Sequence, residues 1–317
     1  MKILVIGGSG FVGTRLLSEL KKMNVLNLDK KNSNLFEEIT VIHDIRNTEN
    51  LDSFFQNVNI VVLLAAEHKD NISPISLYYD VNVVGTKNVL NAMDKHNVKN
   101  LIFTSSVAIY GLNKNNPNEN SKADPFNHYG KSKWQAEMVI KNWYISNKNN
   151  KSVCVIRPTV IFGENNRGNV YNLFRQISSG NFVMIGSGEN KKSMAYVGNV
   201  VAFIKNRIHV DKSGYFVYNY VDKPDLNMIQ LINLIQNQVG STFNFKIPYI
   251  FGLFIGYFFD LISFLFRTKL SVSSVRVRKF CANTQYDSSK LLLEFTPPYK
   301  LEESICNTLD FEFGKKE

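Results

Sequence analysis

Tyr129 and Lys133 stand four residues apart in a stretch with helical spacing, so both fall on one helix face. A phenol has a pKa near ~10 and is a poor base at neutral pH. A neighbouring ammonium favours phenolate, so the pair has the makings of a general base that takes a proton from a hydroxyl. A Tyr-x-x-x-Lys spacing alone describes many solvated helix faces. Position gives it weight: Thr104-Ser105-Ser106 closes an apolar, strand-like run shortly before it. A hydroxyl there can hold a substrate oxygen as that oxygen becomes a carbonyl.

A second constellation lies near the N-terminus. Gly7-Gly8-Ser9-Gly10-Phe11-Val12-Gly13 directly follows the first apolar run and opens a helix. Glycine lets backbone approach a dinucleotide pyrophosphate resting on the amides of a helix N-terminus; a tight strand-to-helix turn would select glycine too. Asp29 closes the second apolar run, 22 residues after Gly7, where a carboxylate can hold ribose hydroxyls and repel a 2′-phosphate. That favours NAD, whose positive nicotinamide ring would also favour the Tyr129 phenolate. Lys30 and Lys31 follow at once and keep NADP as the alternative. Asp44-Ile45 follows the third run and Leu64-Ala65-Ala66 ends the fourth, both at the edge where open α/β sheets bind ligands. The two alanines equally suit close packing.

The elements that must position these groups read as a β-α alternation. Short continuous apolar runs occur at Ile3 to Ile6, Val25 to Leu28, Ile39 to Ile42, Val58 to Leu64, Leu101 to Phe103 and Val153 to Ile156, as in strands covered on both faces. Helical spacing separates them at Phe11 to Lys22, Leu51 to Gln56, Ile75 to His96 and His128 to Ser146. The pattern predicts an α/β fold, a Rossmann-type doubly wound parallel sheet, with a smaller, mixed C-terminal substrate lobe. We assign residues 1–160 to the NAD-binding domain, with 195–222 returning to it. Residues 161–194 and 223–317 form the substrate-binding lobe, because the alternation loosens after Pro158.

The bulk numbers fit a globular chain: 317 residues, 44% apolar and 20% charged, with no signature of disorder. No export signal precedes the first strand at Lys2, and Cys154, Cys281 and Cys306 show no metal-ligand spacing, so we expect a reducing, cytoplasmic setting and no metal. The formal charge of +10 would suit nucleic acid, an anionic bilayer or a phosphorylated substrate. A Lys- and Asn-rich composition explains it equally well, and we expect no nucleic-acid partner.

In chain order, the Gly-x-x-Gly-x-x-Gly of Gly7, Gly10 and Gly13, then Asp29, Asp44-Ile45, the Ser105-Ser106 to Tyr110-Gly111 stretch and Tyr129-Gly130-Lys131-Ser132-Lys133 resemble the extended short-chain dehydrogenase/reductases. Within them the resemblance is to the NAD-dependent epimerase/dehydratase family, and it covers nearly the whole chain. Asn82 to Thr86, Arg157 to Gly163 and Tyr286 to Lys290 fall at further landmarks. The resemblance implies catalysis by Ser106, Tyr129 and Lys133, with Lys133 also on the nicotinamide ribose. It implies cofactor contacts from Gly7, Gly10, Phe11, Val12, Gly13, Asp29, Asp44, Ile45, Leu64, Ala65, Ala66, Asn82, Tyr129, Lys133 and Pro158.

The family's 4,6-dehydratases carry Asp-Glu after the catalytic threonine; Val107-Ala108 stands here and cannot move protons. The implied reaction is therefore reversible oxidation at C4 of a sugar, an epimerisation without net redox change. The stretches Asn127 to Glu137, Gly168 to Leu173, Lys192 to Val197 and Val272 to Cys281 resemble bacterial members that convert N-acetylglucosamine to N-acetylgalactosamine on undecaprenyl diphosphate during O-antigen assembly. On this resemblance Ser106, Asn169, Lys192 and Arg276 contact substrate. Lys192-Ser193-Met194-Ala195-Tyr196 replaces the family's Arg-Asp-Tyr-Ile-His, and Val160 stands where many members have asparagine; both weaken the case for uridine. The alternatives are a soluble UDP-hexose 4-epimerase and a non-catalytic cofactor sensor, against which Ser106, Tyr129 and Lys133 argue.

A lipid-linked substrate demands work at a bilayer, and Ile250 to Phe266 is the segment suited to it, with 13 of 17 residues large and apolar and six of them Phe. Drawn as a helix it has a narrow stripe of Gly252, Gly256, Asp260 and Ser263, predicted to face the protein while the rest lies in the interface. Asp260 and the short length argue against a full span, leaving an in-plane helix or shallow hairpin. Arg267, Lys269, Arg276, Arg278 and Lys279 follow and can meet anionic headgroups or a diphosphate. The expected location is the cytoplasmic face of the cell membrane, peripherally associated. The alternative for the segment is a buried helix or a contact in a homodimer.

Overall fold

The structure is a computed structural model that describes all residues except 70–71, 147–150, 211, 242–244, 267, 269, 271–272 and 315–317. Arg267, Lys269 and Val272, named above, lie outside the described residues. In the first half run β1 (Lys2–Ile6), α1 (Phe11–Glu19), β2 (Asn24–Asp29), β3 (Thr40–Ile42), β4 (Ile60–Leu63), α2 (Ser76–Tyr79), α3 (Thr86–Lys95), β5 (Asn100–Thr104), α4 (His128–Ile145) and β6 (Ser152–Pro158). The second half adds β7 (Val160–Phe162), α5 (Asn169–Ser178), β8 (Met184–Ile185), β9 (Lys191–Tyr196), α6 (Val197–Ile208), β10 (Gly214–Tyr220), β11 (Asp222–Asn227), α7 (Met228–Val239), β12 (Lys246–Ile247), α8 (Tyr249–Phe266), α9 (Ser274–Cys281), α10 (Ser289–Glu294) and α11 (Leu301–Phe313).

Seven strands form one sheet in the order β10-β6-β5-β4-β1-β2-β3, with all neighbours parallel. The continuous apolar runs follow from burial on both faces. Ile3 and Val5 of β1 pack with Leu16, Leu17, Val200 and Phe203 of α1 and α6, while Leu4 and Ile6 pack with Val89, Met93, Ala136 and Ile140 of α3 and α4. β7, β9 and β11 form a separate mixed sheet, and β8 pairs with β12. The doubly wound sheet with a smaller mixed sheet is as expected.

Two helical stretches differ from the expectation. Leu51–Phe55 is a 3₁₀ turn, and Ile75 to His96, though helical as expected, is not uniformly α: a π-helical turn, Asp80–Gly85, joins α2 to α3. That wide turn carries Asn82, whose buried side chain is tied to two other segments at the site.

Candidate active site

Strand register brings the named groups to one edge. Ile6 pairs with Leu63, Leu63 with Phe103, and Thr104 with Ile156, so Gly7, Leu64, Ser105 and Arg157 all emerge at the carboxyl ends of β1, β4, β5 and β6. The glycine loop occupies the first of these ends. Gly7 has φ 91°, and a Cβ there would lie 2.5 Å from Ala65 N, while one on Gly13 would lie 2.4 Å from Gly8 Cα. Those glycines close the turn. A Cβ on Gly10 would meet only Gly7 O, at 3.4 Å, so Gly10 opens onto space at the N-terminus of α1, where a pyrophosphate is held by amides. Phe11 and Val12 begin the helix, partly buried against the core.

At the end of β2 both carboxylate oxygens of Asp29 accept backbone N–H groups, Oδ2 from Ser9 at 3.0 Å and Oδ1 from Lys31 at 3.1 Å. This fixes the carboxylate beside the glycine loop and leaves each oxygen further lone pairs for ribose hydroxyls. Asp44 is engaged by Arg46, with Oδ2 accepting from Nη2 at 2.7 Å, and that hydrogen bond is the main reason its pKa is lowered. Ile45 is buried against Gly85. Leu64, Ala65 and Ala66 are half-buried beside Gly7, with the N–H groups of Leu64 and Ala65 on Ile6 O. Pro158 ends β6 opposite Tyr220. The loop, carboxylate and open Gly10 fit a dinucleotide.

Asn82 acts as a clamp. Its Oδ1 accepts Glu67 N–H at 2.8 Å, and its Nδ2 donates to Glu67 O at 3.0 Å and to Ser132 Oγ at 2.9 Å. Its amide is thus engaged by protein, and it shapes a cofactor cleft by holding the segment after β4 against α4.

α4 starts at Asn127, whose side chain accepts the Gly130 N–H at 2.8 Å as an N-cap. Tyr129 falls in the first turn and Lys133 one turn later. Ser106, past the end of β5, caps the short 3₁₀ turn Val107–Tyr110 through an Oγ that accepts Ala108 N–H at 3.1 Å. Burial pushes the Tyr129 phenol above its ordinary value, and the Ser106 hydroxyl pulls the other way. Lys133 is 1% exposed, with its ammonium 4.2 Å from the Phe103 ring centroid. Burial lowers its pKa to about 7, against the opposing field of Glu137. These three side chains can bind a hydroxyl, take its proton and stabilise the charge.

What the sequence reading missed is the frame behind them. Glu137, a further turn along α4, receives Arg157 Nη2 at 2.6 Å and Nε at 3.0 Å and also accepts from Ser105 Oγ. Arg157 Nη1 reaches Tyr110 OH at 2.6 Å, which donates to Asn219 Oδ1 at 2.8 Å. The network joins the end of β5, α4, β6 and β10, all in buried positions. The signal was Glu137 at i+4 from Lys133, on the same face.

The four residues expected on substrate are spread over the smaller lobe and the site. Ser106 is in the cluster. Asn169 is the exposed first residue of α5, and Arg276 is exposed in the first turn of α9. Lys192 is turned toward protein: its Nζ donates to the carbonyls of Lys279 at 3.1 Å and Ala282 at 2.6 Å, fastening the C-terminal end of α9, with its pKa lowered by burial to about 8. Among the described residues no cluster of His, Cys, Asp or Glu can hold a metal.

The profile of the NAD dependent epimerase/dehydratase family matches residues 3–214. The chain is 55% identical over 314 residues, 98% of its length and 95% of the relative's, to the N-acetyl-alpha-D-glucosaminyl-diphospho-ditrans,octacis-undecaprenol 4-epimerase of Escherichia coli O157:H7. It is 27% identical to the UDP-glucose 4-epimerase of Vibrio cholerae, covering 96% of this chain and 94% of that one. Among solved structures, the Thermotoga maritima UDP-glucose 4-epimerase superposes with a TM-score of 0.77 at 22% identity, 98% of each chain covered. The Thermus thermophilus UDP-glucose 4-epimerase in complex with NAD does so at 0.76 and 19%, again 98% of each. The chain belongs to the NAD-dependent epimerase/dehydratase family. It is an NAD-dependent epimerase, and the expectation of NAD over NADP holds.

Proposed function

We propose that the chain interconverts N-acetylglucosamine and its C4 epimer, N-acetylgalactosamine, on undecaprenyl diphosphate, working at a membrane surface in polysaccharide assembly. The observation that carries the membrane half of this reading is α8. It is an 18-residue helix of mean hydropathy 1.9, with Phe251, Phe254, Phe258, Phe264 and Phe266 each at least 60% exposed. Its attached face is the small and polar stripe: a Cβ on Gly252 would lie 2.4 Å from Ile185 Cγ2 and one on Gly256 2.7 Å from Ser274 Cα, and Asp260 Oδ2 accepts Ser274 N–H at 3.1 Å. A helix held by its stripe with an aromatic face outward fits an in-plane lodging in a bilayer interface. The substrate half is supported by the activity of the 55% identical relative.

In this reading Gly7, Gly10, Gly13 and Asp29 hold NAD, with Asp44, Ile45, Leu64, Ala65, Ala66 and Pro158 lining its cleft. When bound, NAD would supply the acceptor for the C4 hydride and the donor for its return to the opposite face of the ring. Tyr129 removes the O4 proton as C4 is oxidised and gives it back when the 4-keto sugar is reduced. Ser106 holds O4 and favours the phenolate by hydrogen bonding, and Lys133 adds positive charge beside it. Val107, buried beside Ser106, and Ala108 offer no acid or base for dehydration.

The test is to give purified protein undecaprenyl-diphospho-N-acetylglucosamine and UDP-N-acetylglucosamine in parallel, then hydrolyse and identify the sugar. Conversion of the lipid-linked sugar is expected; conversion of the UDP-sugar alone would replace this reading with the soluble one. Co-sedimentation with anionic vesicles checks the membrane half, and protein left wholly in the supernatant at low salt would remove it.

A further inference from the structure

The apolar helix and the catalytic tyrosine are connected by a continuous set of contacts. α8 packs along α9 through Gly256 and Asp260, and Arg278 of α9 also hydrogen-bonds the Tyr257 hydroxyl. At the other end of α9 the Lys279 ammonium lies 5.8 Å from the centroid of the Phe126 ring. Phe126 is an aromatic side chain left 53% exposed, although it belongs to the segment that leads directly into α4. The backbone on either side of it is closely packed. Asn127 caps α4, and Gly130 is so close to Ala108 O and Pro125 Cβ that an added Cβ would lie 2.5 and 3.1 Å from them.

Three residues of chain place Phe126 within about 10 Å of Tyr129, the scale of a single hexose with its phosphates. This aromatic and the basic turns of α9 therefore lie along the set of contacts between α8 and Tyr129. A diphosphate suits Arg276, Arg278 and Lys279 by charge, and the first isoprene units suit an exposed ring by apolar contact.

We infer that Phe126 and Lys279 form the entry subsite for the prenyl diphosphate, bridging the membrane-facing α8–α9 pair to the catalytic helix. This rests on the lipid-linked reading above. The subsite gives a use to an aromatic left exposed beside a cation at the start of α4.

The probe is undecaprenyl-diphospho-N-acetylglucosamine in detergent micelles, turned over by the wild-type chain and by Phe126→Asp and Lys279→Gln. For each variant we expect KM to rise about tenfold, with the loss carried by KM rather than kcat. NAD affinity, read by protein fluorescence, and vesicle co-sedimentation should match wild type. An unchanged KM in both variants, while wild type converts the lipid-linked sugar, overturns the inference and leaves the proposed function standing. A fall in vesicle binding with KM unchanged also overturns it, because Phe126 would then touch bilayer rather than substrate. If wild type converts only the UDP-sugar, the reading beneath fails and this subsite fails with it. Should Phe126→Asp lose NAD binding, Lys279→Gln alone decides.

Discussion

The corner between β5, α4 and β6 and the pair α8–α9 solve opposite problems with the same kinds of residue. In the corner, the ion pair of Glu137 and Arg157 is buried and saturated with partners: the two are 1% and 6% exposed and share three hydrogen bonds. In α8–α9 the aromatics are outside and a few polar contacts suffice to hold the helix. The first arrangement fixes side chains relative to one another; the second leaves a face unpartnered by the protein. A region's chemistry is thus read from where its desolvation occurs, inside the fold or against something outside it.

The corner is most sensitive at Tyr129. Tyr129→Phe removes the proton acceptor while leaving ring packing and the glycine loop in place, so turnover should fall by about 10³-fold. NAD affinity should stay near wild type, measured by fluorescence titration beside the sugar assay. Near-normal turnover would assign the base to another group.

Glu137→Ala tests the frame instead of the base. It leaves the Arg157 guanidinium, held charged by Glu137 and Tyr110, buried without its carboxylate, which costs about 3–5 kcal/mol. Urea unfolding should show the full loss. The exposed pair of Lys205 and Glu19, 3.3 Å apart, is the control: Lys205→Ala should change stability by less than about 1 kcal/mol. Equal effects at the two sites would mean that the buried network does not brace the corner.

How legible each region was follows from the same contrast. The placement of the glycine loop, Tyr129 and Lys133 was readable because it depends on local spacing: a turn that excludes side chains, and two residues one helical turn apart. The α8 stripe was readable because four small or polar residues interrupt an apolar run at helical spacing, and Gly252, Gly256 and Asp260 do face the protein. The Glu137–Arg157–Tyr110–Asn219 network was not, since its members come from four segments up to 109 residues apart and only the parallel register brings them together. Lys192, expected on substrate from its place in the chain, has a second attachment that spacing does not show: the end of α9 lies close enough for its carbonyls to take the ammonium. The π-helical turn at Asn82 was likewise invisible, because a one-residue phase shift in so short a stretch is not separable from the ordinary scatter of apolar positions.

A smaller effect sharpens the view of Lys133 as a functional residue that the fold tolerates at a cost. Its folded-state pKa of about 7 lies below the ordinary lysine value, so between those limits the unfolded chain binds more protons than the folded one. Stability from this group therefore rises with pH from about 7 toward ~10 and is poorest below it, the reverse of a salt-bridged lysine. Lys133→Met removes the desolvation penalty. It should stabilise the cofactor-free protein by about 1–3 kcal/mol at pH 7, abolish turnover, and flatten the pH dependence of Tm over that window. A destabilised variant would mean that Lys133 is held by interactions stronger than its burial penalty.

The smallest change in stability is expected on α8. Phe264 is 80% exposed, so Phe264→Ser removes little packing, and the unfolding free energy in solution should move by no more than about 0.5 kcal/mol. Against vesicles the same substitution withdraws a ring from the interface, and burial of a Phe is worth about 1.5–3 kcal/mol. Partitioning should then weaken by roughly tenfold or more, read by co-sedimentation at fixed lipid. The two numbers together separate the occupants of this face: a Phe264 that packed within the chain would show the loss in unfolding, and one that meets lipid shows it only when lipid is present.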